Sequence, residues 1–258
     1  MATLDKERFE LHLPPRHQGA VLDQDEEWCE IEIRGERRRI RLHDYAAIYD
    51  VPGLYEQLFA EKLRCTSPQV VCELLGEQLD AAGVRPPTMG VLDFGAGNGM
   101  IGEELDQIGF GTIVGIDLLP EARAAALRDR PDVYEDYHVL DLTALHAGDR
   151  AALEAHDVDC LTCVAALGFG DVPQLAFAEA FNLVAAPGWL AFNVRDKLLE
   201  EEHPNGFGEL IERMLVEGVV EECARRHYTH RVSIAGEPLD YIAIVATKAC
   251  DIPLDWVR

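Results

Sequence analysis

Three aspartates sit near the carboxyl ends of successive apolar runs: Asp93 in Gly90–Phe94, Asp117 in Thr112–Asp117 and Asp141 in Tyr137–Leu142. The first run breaks into Gly95-Ala96-Gly97-Asn98-Gly99, with glycine at every second position, before the helix-like Met100–Ile108. A strand, a glycine turn and a helix N-terminus in that order cradle a phosphate or a cofactor. Glycine permits φ > 0 there and lets the backbone approach a ligand closely. Candidate general bases near the same mouth are Asp171, His227 and His230, although two strand residues three apart, such as the histidines, face opposite sides. Cys160-x-x-Cys163 lies in the apolar run Val158–Ala166, where the same argument separates the thiols, so it reads as core packing. No residue spacing nominates a metal site.

The elements that position these groups alternate. Strands are predicted at Gly90–Phe94, Thr112–Asp117, Tyr137–Leu142, Val158–Ala166, Trp189–Val194, Val220–Val232 and Tyr241–Thr247. Helices are predicted at Met100–Ile108, Pro120–Asp129, Arg150–Ala155, Val172–Val184 and Gly206–Glu217, so most strands are joined by crossovers and run parallel. No helix separates the last two strands, which makes the final one antiparallel. Ahead of this core, Leu54–Leu63 and a second segment, N-capped by Thr66 or Ser67 with Pro68 at its first position, read as helices. Trp28–Ile33 and Arg38–Leu42 read as a hairpin, and residues 1–25 as an irregular arm. The expected division is 1–43 for arm and hairpin, 44–85 for a helical lead-in, and 86–258 for the core. Three roles stand open for the hairpin: covering a sheet edge, forming a homodimer, or capping a pocket.

The glycine turn resembles motif I of the class I S-adenosylmethionine (SAM)-dependent methyltransferases of small-molecule type. The order of elements from Tyr45 to Lys248 resembles the same family. That resemblance implies an α/β fold with a doubly wound, seven-stranded, mostly parallel sheet and an antiparallel last strand, Rossmann-like, with SAM as cofactor. It puts Gly95, Ala96, Gly97 and Asn98 under the amino-acid part of SAM and Asp93 toward its ammonium through water. Asp117, with Leu118, meets the ribose hydroxyls. Asp141 meets the adenine amino group, with Leu142 offering a backbone N–H, and Val164 and Ala165 border the adenosine and sulfonium. Tyr45 and Tyr49 resemble the segment that closes over SAM, or else form one packed helix face at i, i+4 spacing. The implied reaction is in-line methyl transfer to a small molecule, with S-adenosylhomocysteine as product. Two other readings are a SAM-binding regulatory or scaffold protein without turnover and an NAD(P)-dependent oxidoreductase. The latter rests on Gly97-x-Gly99-x-x-Gly102 with Asp117 about twenty residues on.

Composition narrows the partners. A net charge of −24 over 258 residues opposes a surface built to neutralise phosphates, so no nucleic acid is expected. No apolar run approaches the roughly 18 residues of a membrane span, and no secretion signal is seen. Seven cysteines at irregular spacing fit reduced thiols in the cytoplasm. The loop after the fourth strand, Ala165 to Asp171, has no Asn-Pro-Pro-Tyr-type sequence, and no Pro-Cys nucleophile or paired-glutamate loop is found. Phe169 and its apolar neighbours suit a small organic acceptor. Gly206-Phe207-Gly208 offers a hinge for a lid, or an ordinary loop.

Overall fold

Gly90–Phe94 is buried at all five positions, as a central parallel strand covered on both faces must be. The computed structural model describes residues 9–19, 22, 26–167, 172–196 and 206–257. In order these form β1 (Glu10–His12), α1 (Arg16–Gly19), β2 (Trp28–Ile33), β3 (Glu36–Arg41), α2 (Tyr45–Tyr49), a π-helical segment (Glu56–Lys62) and α3 (Ser67–Ala82). The core follows as β4 (Gly90–Phe94), α4 (Met100–Ile108), β5 (Thr112–Asp117), α5 (Pro120–Asp129), β6 (Asp136–Val139), α6 (Ala147–Glu154), β7 (Val158–Cys163) and α7 (Gln174–Asn182). It ends with β8 (Gly188–Arg195), α8 (Phe207–Val216), β9 (Val220–Val232) and β10 (Pro238–Lys248).

The large sheet has seven strands in the order β6-β5-β4-β7-β8-β10-β9. Only β10 runs against its neighbours, as expected from the missing crossover helix. Strand order reverses beside β4, so a crevice opens beyond the carboxyl ends of β4 and β7. One face of the sheet packs Leu92, Phe94 and Cys163 against Phe177 and Phe181 of α7. The other packs Val91 and Cys160 against Val71, Leu75, Ile101 and Leu105 of α3 and α4. Cys160 and Cys163 thus point to opposite faces, and burial pushes both thiols up.

The N-terminal sheet has three strands rather than two. The arm read as irregular contributes β1, which is three residues long and shows no period of its own. Cys29, Ile31, Ile40 and Leu42 point inward onto Ile48, Leu54, Leu58 and Leu63, so the hairpin and the lead-in share one core. The arginines face outward and pair across the strands, Arg37 with Glu32 and Arg39 with Glu30. A buried ion pair between Glu27 and Arg231 at 2.7 Å, with Ile234 N–H donating to the same carboxylate, docks this sheet on the β9–β10 turn.

Several expected boundaries shift. The third strand ends at Val139, so Asp141 lies beyond it and caps the helical turn Leu142–Ala144 by accepting from Thr143 N–H. The fourth ends at Cys163, leaving Val164 to Ala166 free to line the crevice. Thr66 precedes α3 without capping it, because its hydroxyl donates to the Thr229 carbonyl. Gly206 precedes α8 with φ 64°, and Phe207 is buried edge-on to Phe177 at the start of that helix.

Candidate functional site

The glycine turn is held from three sides. Gly95, Gly97 and Gly99 all have positive φ, the region that favours glycine. Gly95 and Ala96 N–H donate to Ile116 O, and Gly97 N–H donates to Asp117 Oδ2 at 2.9 Å. Tyr137 Oη donates to Gly97 O at 2.7 Å. A Cβ on Gly97 would lie 2.5 Å from Tyr49 Oη, so a larger residue there would have to displace that ring. Asn98 Nδ2 donates to Glu56 Oε1 at 2.6 Å, and Arg130 Nη1 donates to the same oxygen and to Asn98 O. The lead-in segment is thereby tied to the turn.

A cavity of about 330 Å³ opens in the crevice, a volume within the range of small-ligand sites. Tyr45, Tyr49, Gly95, Asp117, Leu118, Asp141, Leu142, Val164 and Ala165 line it. Ala96, Gly97 and Asn98 line a smaller adjoining hollow that shares Tyr49, Gly95, Val164 and Ala165. The sequence reading missed Tyr55, Leu140, Val172, Pro173 and Ala176. Tyr45, Tyr49 and Tyr55 also stack on one another, so Tyr45 and Tyr49 pack as one face while lining the cavity. Burial keeps the Tyr49 and Tyr55 phenols protonated.

Asp93 lines neither hollow. It is 1% exposed and stands behind the turn, accepting from Tyr134 Oη at 2.7 Å and Thr162 Oγ1 at 3.0 Å. Burial pushes its carboxyl up to about 7, although these two bonds pull the other way. A Cβ on Gly102 would lie 2.6 Å from Tyr134. The third glycine of the literal dinucleotide pattern is therefore explained by room for that tyrosine. Asp117 is raised by burial, opposed by N–H donors from Leu119, Gly97 and Leu118. Asp141 is exposed, and its hydrogen bonds from Thr143 hold it below the usual carboxylate range.

The catalytic candidates fare differently. His227 is exposed on β9 and His230 is 7% exposed; neither lines the cavity. His230 Nδ1 lies 2.5 Å from Ser67 Oγ, and burial, with Arg231 adding to it, pushes its pKa down to about 3. It is a neutral packing hub rather than a base facing an acceptor. Asp171, with Phe169, falls outside the described residues.

The sequence missed a buried polar cluster behind the cavity. Asn193, 0% exposed, donates from Nδ2 to Tyr228 Oη at 2.6 Å and Ser67 Oγ at 3.0 Å. Its Oδ1 accepts from Ala165 N–H at 2.6 Å. Ala165 has φ 58°, so this bond holds a cavity residue in a backbone conformation unfavourable for alanine.

The methyltransferase-domain family matches residues 92–192. The ubiquinone biosynthesis O-methyltransferase of Thiobacillus denitrificans is 32% identical over 115 residues, covering 44% of this chain and 48% of that protein. The chain thus spans about half the length of this curated relative. Among solved structures, the N-methyltransferase NodS of Bradyrhizobium japonicum in complex with S-adenosyl-L-homocysteine superposes with a TM-score of 0.50 at 16% identity, covering 70% of this chain and 86% of that one. The magnesium protoporphyrin IX methyltransferase of Synechocystis with bound SAM gives 0.49 at 16% identity, covering 70% and 79%.

Proposed function

We propose, from the premise that this chain carries a class I SAM-dependent methyltransferase domain, that it transfers the methyl group of SAM to a small-molecule acceptor. The carrying observation is a mainly apolar cavity at the switch in strand order, with Asp117 and Asp141 on its wall and the glycine turn beside it. SAM supplies an activated methyl on a sulfonium. This chain's residues bind it, align the acceptor and exclude water, which lowers such barriers by roughly 7–11 kcal/mol in the best oriented cases.

The donor set fits that ligand. Both Thr143 bonds fall on Asp141 Oδ1, leaving Oδ2 for the adenine amino group. Asp117 takes the ribose hydroxyls, and Gly95 to Asn98 take the amino-acid end. Tyr45, Tyr49 and Tyr55 offer π-faces to a cation, whereas a pyrophosphate gains nothing from this acidic wall. Val172, Pro173 and Ala176 give the cavity an apolar side, in keeping with the quinone-related chemistry named for the Thiobacillus relative. Among the described residues no helix is long and apolar enough to cross a membrane. The seven cysteines are free, in keeping with the cytoplasm.

Calorimetric titration with SAM tests the pocket. Asp117→Ala is expected to weaken binding by about 1–3 kcal/mol, roughly 5- to 150-fold, through lost hydrogen bonds to the ribose. Unchanged affinity in a folded variant overturns the ribose assignment. Turnover is read as S-adenosylhomocysteine released with fractionated cell extract. Release that depends on the low-molecular-weight fraction supports a small acceptor. Release that depends on the RNA or protein fraction rejects it. Binding without release under every fraction favours the regulatory reading.

A further inference from the structure

The edge strand of the large sheet carries a second group of coordinating side chains. Asp136 opens β6, and His138, two residues on, shares its face. His156 ends the turn between α6 and β7. None of the three lines either hollow of the candidate cofactor site. Asp136 Oδ2 lies 3.2 Å from His138 Nε2 and 3.7 Å from His156 Nε2. One ligand atom from each residue lies within 4.8 Å of the others, and the two rings meet nearly edge-on, with centroids 5.8 Å apart.

Ligands about 2.0–2.1 Å from a tetrahedral zinc ion are about 3.3 Å from one another, and the two measured separations bracket that spacing. His138 Nε2 is buried and has no hydrogen-bond partner, although Asp136 stands at ion-pair distance. A buried polar nitrogen left unmet costs free energy, and a metal ion would satisfy it. The carboxylate is already oriented: Asp136 Oδ1 accepts from Tyr137 N–H at 2.8 Å, which turns Oδ2 toward the imidazoles. The histidine side chains are 18% and 17% exposed and that of Asp136 is 48%, so water reaches the remaining coordination position from one side. Two imidazoles and one carboxylate suit zinc-class ions better than magnesium or calcium, which take all-oxygen shells.

We propose that Asp136, His138 and His156 bind one zinc-class divalent cation, with water completing the shell, and that the ion staples the α6–β7 turn to the edge strand. Its role is structural and separate from methyl transfer, so its failure leaves the SAM reading intact, and the reverse holds too.

The test titrates the chelator-treated full chain with zinc chloride, and separately with cobalt(II). The expected result is one zinc per chain, a cobalt spectrum without thiolate charge transfer, and at least tenfold weaker binding in both His138→Gln and His156→Gln. In the unmodified chain, cobalt is expected to shift the ring proton resonances of His138 and His156, a readout independent of any variant's folding. Zinc affinity equal in wild type and both variants, binding abolished by alkylating the cysteines, unshifted histidine resonances with cobalt bound, or no binding at millimolar zinc would each overturn the site.

Discussion

Asp93→Asn is expected to remove a loss of stability of about 4 kcal/mol that the native carboxylate imposes as pH rises from about 4 to about 7. The ordinary value of 3.8 is raised to about 7 in the folded chain. Below both values the group is protonated in either state, and the stability it contributes is fully present. Between them the unfolded chain ionises while the folded chain stays neutral, so each pH unit costs about 1.4 kcal/mol. Above about 7 both states are ionised and the loss is complete. Asparagine keeps partners for Tyr134 and Thr162 but does not titrate. Urea midpoints from pH 4 to pH 8 should therefore converge or favour the wild type at the acid end and favour the variant at the basic end. Parallel profiles would show that Asp93 ionises as freely when folded as when unfolded.

The same group tests the ligand's orientation. A SAM ammonium reaching Asp93 through water favours the charged form. Binding at pH 7 would then release a proton, measured as a dependence of binding heat on the buffer's ionisation enthalpy. Asp93→Asn should abolish that release. Unchanged proton release in the variant would assign the ammonium to another group.

What the sequence made legible was local and periodic. The glycine turn, the alternating strands and helices, and the final antiparallel strand each follow from residues close in sequence. Asp117 at the end of β5 follows from the same pattern. The sequence places Asp141 in the strand Tyr137–Leu142, yet the chain turns after Val139 and Thr143 bonds back to the carboxylate. What was illegible joins elements far apart in the chain. Glu56 meets Arg130, Tyr134 meets Asp93, and Asn193 meets Ala165, and no spacing announces those pairs. His227 and His230 were correctly assigned to opposite faces. That neither lines the cavity depends on where β9 sits in the sheet, at the edge beyond β10, and no single strand's pattern encodes that. The Asp136, His138 and His156 group is hidden for the same reason, since His156 meets the other two only across the α6 connection.

Asn193→Ala is expected to destabilise the fold by about 1–3 kcal/mol and to weaken SAM binding, although Asn193 does not line the cavity. Ala165 N–H loses its acceptor, and an unmet buried donor costs about 1–3 kcal/mol. The left-handed φ of Ala165 costs about 1–2 kcal/mol with or without that bond, so it adds nothing to the loss. Ser67→Ala should cost less, about 1 kcal/mol, because Asn193 still donates to Tyr228 and still holds Ala165. Ala165→Gly tests whether the bond holds the backbone. Glycine adopts that φ freely, so it should stabilise the wild-type background, and stabilise the Asn193→Ala background less because Ala165 relaxes once the bond is gone, read from urea midpoints as a coupling in a double-mutant cycle. An additive cycle would mean that Ala165 keeps its left-handed φ, and the cavity wall at Val164 and Ala165 its shape, without the Asn193 bond.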